Sequence, residues 1–340
     1  MTKGGRRFKA VLGKVWGLLI TLALLLAVTF FLQSRSPLDP ALRVAGDHAS
    51  EARYQQVRVD LGLDKPWWDQ LFRWVGQLAR GDLGTSRSTG QPVIEDLARA
   101  FPATLELTTL AILWASLVGI PLGAWAAARP RGPTDAVVRL VTTLGNSVPI
   151  FWSGLLLLAL FYAHLHWTSG PGRLDDAYLF SVTHPTGFLL VDVLLSGDPG
   201  AWVNAWSHLA LPVLLLGAHS LGTLCRLTRS VSLGELRQDY ITFARSKGAG
   251  EGRILFRHVL PNAGAPIAIT VGLAFTSLLE GAVLTETIFA WPGLGRYLTT
   301  ALFAADTPAI LGTTLVLGSS FIVVNALADL AASALDPRLS

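Results

Sequence analysis

Six apolar runs divide the chain, separated by polar stretches of very unequal length. The first, 15–34, contains no charge, and 103–128 includes an uncharged run from Leu107 to Ala128. The others occupy 140–163, 208–226, 263–285 and 307–330. A hydrocarbon layer about 30 Å thick is crossed by roughly twenty apolar residues rising 1.5 Å each, so every run has the length of a membrane span. The expected fold is an all-α polytopic membrane protein with six transmembrane helices.

The polar stretches orient these spans. Segment 1–14 holds five Lys/Arg and no acid, and 129–139 holds three basic residues against Asp135. From Arg226 to Arg257 seven basic residues meet three acids, whereas 164–207 has four acids against Arg173 alone. By the positive-inside bias, 1–14, 129–139, 227–262 and the tail 331–340 are expected in the cytoplasm. Segments 35–102, 164–207 and 286–306 then lie outside. A cleaved signal peptide is the competing reading of 15–34, but its apolar core is longer than such peptides carry and no small-x-small site follows.

Within 35–102, Glu51–Leu61 and Trp67–Ala79 repeat at helical spacing, the second with Trp68, Leu71, Phe72, Val75 and Leu78 on one side. Trp67, Trp68 and Trp74 pack this segment onto the membrane surface or against other spans, as a cap or as a docking platform for an extracytoplasmic partner. Pro149 predicts a kink in the third span. Half of the chain, 51%, is hydrophobic and 15% charged, which agrees with the membrane class. The net charge of +4 is distributed over separate loops, so no nucleic-acid face is expected. The one cysteine, Cys225, excludes an internal disulfide. His164 and His166 form a His-x-His pair for which no third metal ligand is assignable.

The polar island Asp239–Asn262, DYITFARSKGAGEGRILFRHVLPN, lies between two long apolar runs. Tyr240, Phe243 and Ala244 sit at helical spacing, Gly248 breaks the backbone, and Ile254, Leu255 and Val259 begin a second stripe. The pattern predicts a helix, a glycine turn and a second helix. Such a pair either presents a stiff knob to a soluble partner or is a cytosolic loop whose charges set topology.

Ala244, Gly248, Leu260 and Pro261 stand in the register of the EAA loop of bacterial ABC importer permeases. DYITFARSKG followed by RHVLPNA resembles the peptide and nickel branch of that family. Thr242 and Phe243 replace the Glu-Ala of the general pattern, and His258 its usual Ile. LGLDKPWWDQLFRWVGQLARGDLGTS, FPATLEL and ETIFAWPGLGRYL also resemble peptide permeases, the dipeptide ones most. Pro37-Leu38-Asp39-Pro40 lacks the glycine usual there.

The resemblance implies a type I ABC importer permease in the bacterial inner membrane, paired with a second homologous permease. It also implies two ATP-binding subunits, which hold the ATP and Mg2+, and an extracytoplasmic substrate-binding protein. The solute expected is a dipeptide or short oligopeptide, with nickel or a nickel-metallophore complex as the alternative. Asp239, Tyr240, Ala244, Arg245, Lys247, Gly248, Arg253, Leu260 and Pro261 are the implied ATPase-coupling residues. Arg245, Lys247 and Arg253 either pair with acids on the ATPase or anchor the loop.

The chain has no G-x-x-x-x-G-K-[ST], H-E-x-x-H or G-x-S-x-G, so it is read as no enzyme and as binding no cofactor itself. An ion-coupled secondary transporter is the rival from another class, and it calls for inverted repeats and paired intramembrane charges that the sequence does not display. Among intramembrane carboxylates, Glu280 lies deepest and lines a substrate path or satisfies a helix interface. Glu106 and Asp329 sit near span ends, where a solvated or snorkelling carboxylate is expected.

Overall fold

Helix is the regular structure of this chain, as its apolar runs require. In the computed structural model the described residues are 16–17, 20–32, 35, 39–46, 49–133, 135–136, 138, 140, 142, 148–178, 180–183 and 185–335. The expected N-terminal segment 1–14, Pro37 and Leu38, and parts of 129–139, of the third span and of the tail lie outside them. Among the described residues there is no strand, only an isolated bridge between Thr85 and Pro92.

The helices in chain order are α1 (Ile20–Leu32), α2 (Pro40–Ala45), α3 (Glu51–Asp60), α4 (Trp67–Leu78) and α5 (Val93–Ala128). There follow α6 (Ile150–Leu157), α7 (Leu189–Ser196), α8 (Pro199–Glu235), α9 (Asp239–Ser246) and α10 (Glu251–Ile254). The last three are α11 (Gly264–Ile288), α12 (Leu294–Phe303) and α13 (Thr307–Leu335). Helices α5, α8, α11 and α13 are each long and apolar enough to cross a membrane, while α1 and Ile150–His164 are shorter apolar helices. At 37 residues α8 is about 55 Å long, so it overhangs a 30 Å hydrocarbon layer.

Local chemistry sets several boundaries. Gly197 ends α7 in the left-handed conformation at φ 68°, and the Asp198 side chain then accepts the Gly200 and Ala201 N–H groups. Pro199 supplies the first residue of α8, where its missing N–H costs nothing. Pro149 does not kink a helix as expected. It is the extended cap before Ile150, because a residue without an N–H is tolerated at a helix start. Pro102, Pro121 and Pro212 do lie inside helices.

The chain divides into two compact units. In the first, 1–100 with 297–322, α4 meets α1 through two aromatic pairs: Trp74 with Phe30 and Trp67 with Phe31, at 6.2 and 5.7 Å between ring centroids. Trp74 is therefore the buried residue of α4, whereas Trp68, Phe72 and Val75 of the expected apolar side are exposed. Asp306 is buried and accepts hydrogen bonds from Ser86 Oγ at 2.7 Å, Ser88 N at 2.9 Å and Ser88 Oγ at 3.0 Å. Asp96 accepts from Thr89 Oγ1 and from the Tyr297 hydroxyl.

The second unit, 101–296 with 323–340, holds the larger core. Leu107 and Ala111 of α5, Leu209, Leu216 and Leu224 of α8, and Leu278 of α11 are buried together with Trp291. Gly123 lets α5 approach α8 so closely that a Cβ there would press on the Cys225 carbonyl. That site accepts no side chain without displacing backbone.

Candidate functional site

The island between α8 and α11 folds as two short helices about a glycine turn. Helix α9 ends in a Schellman motif, with Ala249 N donating to Ala244 O at 3.1 Å and Gly248 N to Arg245 O at 2.9 Å. This motif needs a left-handed residue four positions after the residue whose carbonyl accepts the outer bond, and Gly248 supplies it at φ 82°. The spacing of Ala244 and Gly248 thus has a backbone cause. Helix α10 widens into a π turn, Leu255–Val259, just before Leu260–Asn262, where Pro261 has no N–H to continue α-type pairing.

Ile241, Ile254 and Val259 are fully buried in a small core of their own, with Leu236 and Ala249 against it. Full burial of each aliphatic side chain contributes about 1.5–3 kcal/mol, enough to hold two such short helices in one arrangement. Ile241, the anchor of α9, was not singled out by spacing, because Tyr240 and Phe243 are the larger apolar residues. Both of those face outward.

The charged residues partly serve the island itself. Arg245 pairs with Glu251 across the glycine turn at 3.1 and 3.3 Å, and Lys247 Nζ lies 4.3 Å from the Phe243 ring centroid. Arg253 and Pro261 are exposed, Ala244 and Leu260 half-buried, and Asp239 begins α9 at its surface, where an acid complements the helix dipole. An exposed ion pair is worth about 0–1 kcal/mol, so Arg245 can exchange Glu251 for another carboxylate at small cost.

Tyr240 is tied down at its hydroxyl. It donates to Glu235 Oε2 at the end of α8 and accepts from Asn262 Nδ2 at 3.2 Å, while Asn262 Nδ2 also donates to the His258 carbonyl at 2.7 Å. Burial first, then the bond to Glu235, pushes the phenol up to about 12, so it remains a donor at physiological pH. Glu235 carried no signal in the sequence, and Asn262 stood only within the RHVLPNA segment.

Residues 119–340 match the model of the family described as binding-protein-dependent transport system inner membrane component, and 7–108 match its N-terminal companion. The chain belongs to that family. This permease is 45% identical over 96% of both chains to the probable D,D-dipeptide transport system permease protein of Escherichia coli (strain K12). It is 39% identical to the dipeptide transport system permease protein of the same organism, over 92% of this chain and 93% of the other. It is 40% identical to that of Haemophilus influenzae (strain ATCC 51907 / DSM 11121 / KW20 / Rd), over 98% and 99%.

At the other end of the second unit, the permease buries its carboxylates. Glu106 does not reach solvent as expected. It pairs with Arg173 at 2.7 Å and accepts the Leu189 and Leu190 N–H groups at 3.1 and 2.8 Å, capping α7. The Arg173 guanidinium also lies 5.1 Å from the Trp291 ring centroid. Glu286 accepts from Thr104 Oγ1 at 2.6 Å and from Arg296 N at 2.9 Å, and Trp291 Nε1 donates to the Ala103 carbonyl. Gly293 leaves the space that Glu286 and Thr104 fill. The turn AWPGLGR is thus wrapped around one carboxylate.

Glu280 stands on the exposed face of α11 with Ser277, Gly281 and Leu284, without a hydrogen bond or ion pair among the described residues. His164 and His166 find no third ligand: among the described residues no group of three His, Cys, Asp or Glu is placed to hold a metal.

Proposed function

We propose that this permease moves dipeptides or short oligopeptides inward across the bacterial inner membrane, through six spans with both termini in the cytoplasm. The observation that carries the substrate class is the full-length similarity to the two Escherichia coli permeases whose names specify dipeptides. Energy comes from ATP and Mg2+ on two partner ATPase subunits. A second permease subunit completes the path, and an extracytoplasmic binding protein delivers the solute.

The island 239–262 is the coupling element in this reading. Its own apolar core makes it stiff, while Phe243, Arg253 and Pro261 lie on its surface for a groove of the ATPase. A rigid element transmits a displacement instead of absorbing it, so closure of the ATPase pair on ATP tilts α8 and α11. Asp135 supports the topology: it accepts Arg229 Nε at 2.6 Å, which brings loop 129–139 to the end of α8 that leads into the island. Glu280 faces the path. A carboxylate exposed to lipid tails is costly, and a water-filled path beside a second permease relieves that cost and attracts a peptide amino group.

The test is uptake of radiolabelled D-alanyl-D-alanine into vesicles holding the whole assembly, with ATP and binding protein added or omitted. L-Alanyl-L-alanine and nickel serve as competitors. Uptake that needs both additions and is displaced by dipeptide supports the reading. Uptake driven by an ion gradient without ATP overturns the coupling, and displacement by nickel alone overturns the substrate.

A further inference from the structure

Between the coupling helix α9 and the span α11 the chain passes Gly248, Gly250 and Gly252. A side chain added at any of the three would meet nothing within 4 Å. Gly248 and Gly250 form the turn and Gly252 lies in α10, so the covalent connection is rich in the residue whose backbone has the widest conformational freedom. A push on α9 that travelled only along the chain would be lost there as backbone rotation. Two non-covalent routes bypass the glycines. One is the small apolar core of Ile241, Ile254 and Val259. The other is the Tyr240 hydroxyl, bonded to Glu235 at the last turn of α8 and to Asn262 two residues before α11.

We infer that Tyr240 is a positioning residue whose hydroxyl braces the coupling helix against the ends of both α8 and α11, so that one displacement of α9 moves the two spans together. This rests on the coupling reading above and gives Tyr240 a role within its own chain instead of at the ATPase surface. The geometry favours it. The hydroxyl has one donor and one used acceptor position, the first serving the last residue of α8 and the second Asn262 just ahead of α11. Asn262 holds its side chain in place through its second amide hydrogen on the His258 carbonyl. The outward ring of Phe243 has no polar atom and takes no part.

The assembled transporter in vesicles tests this, with basal ATP hydrolysis and hydrolysis stimulated by the binding protein measured on the same preparation. That stimulation carries a signal through the permease from outside to inside. For Tyr240→Phe, which keeps the ring, the ATPase subunits co-purify in normal yield and the stimulated-to-basal ratio falls about two- to tenfold, the span expected for one hydrogen-bonded link. Asn262→Ala produces a similar fall, the double variant is no worse than either alone, and Glu235→Gln, which still accepts from the phenol, retains the parent ratio. A ratio unchanged in Tyr240→Phe overturns the brace. So does a loss of thermal stability or subunit yield with the ratio intact, because that outcome marks a folding role only. Gly248→Pro separates the two claims: if it abolishes stimulation while Tyr240→Phe is silent, the coupling reading stands and the brace fails. If Gly248→Pro is also silent, the coupling reading itself fails.

Discussion

Arg173 and Glu106, 67 positions apart in sequence, meet at 2.7 Å and are both largely withdrawn from solvent, with 16% and 6% of their side chains exposed. The pair ties loop 164–207 to α5, and the carboxylate's remaining capacity caps α7. Removing one member of such a pair strands the other charge. Glu106→Ala is expected to cost about 3–5 kcal/mol of stability, and Glu106→Gln less, because its one amide oxygen still accepts one of the two α7 N–H groups. Thermal unfolding of the purified permease in detergent ranks the variants, and equal midpoints for Glu106→Ala and the parent contradict the pairing.

Asp306 organises the first unit by holding Ser86 and Ser88 and by accepting, at 3.4 Å, from Ala309 N in the first turn of α13. Asp306→Ala leaves these donors unpaired at a cost of about 1.5–3 kcal/mol. Its readout is local: trypsin cleaves after Arg87 faster in the variant, in membrane fragments open to the protease on both faces. An unaltered cleavage rate refutes the assignment.

Gly248 has the φ of 82° that the Schellman turn needs. Proline is confined near φ −65°, so Gly248→Pro breaks the turn, while Gly248→Ala carries a strain of about 1–2 kcal/mol. Ala244→Arg places a charge at a half-buried position against the island. Gly248→Pro and Ala244→Arg are expected to abolish uptake with membrane insertion intact, and Gly248→Ala to reduce it. Full uptake by either of the first two removes the coupling assignment.

Glu280 is open on α11 and Cys225 is buried, so Glu280→Cys gives a thiol that can be read almost alone. A membrane-impermeant maleimide is expected to modify it in the assembled transporter, as a water-lined path requires. Glu280→Gln is expected to lower uptake about tenfold through loss of one charge-assisted bond to the solute. Absence of labelling, with normal uptake by Glu280→Gln, places the residue away from the path.

Much of this permease follows from local rules that read directly along the chain. Hydropathy marks the apolar helices, because a helix in lipid must satisfy its backbone internally over a set length. The Ala244 to Gly248 spacing marks the helix, turn and helix, because only a left-handed residue closes that cap. The sequence by itself therefore determined the class, the family resemblance and the position of the helix–turn–helix island. Tertiary structure decided which residues hold these pieces. Ile241 anchors α9 although Tyr240 and Phe243 are larger, Trp74 is buried where Trp68 and Phe72 are exposed, and Glu106 is buried where a span end promised water. Each outcome depends on partners distant along the chain, such as Arg173 for Glu106 and Phe30 for Trp74. Periodicity reports which side of a helix is apolar, but the energy of a buried charge or ring is set by what the fold brings against it.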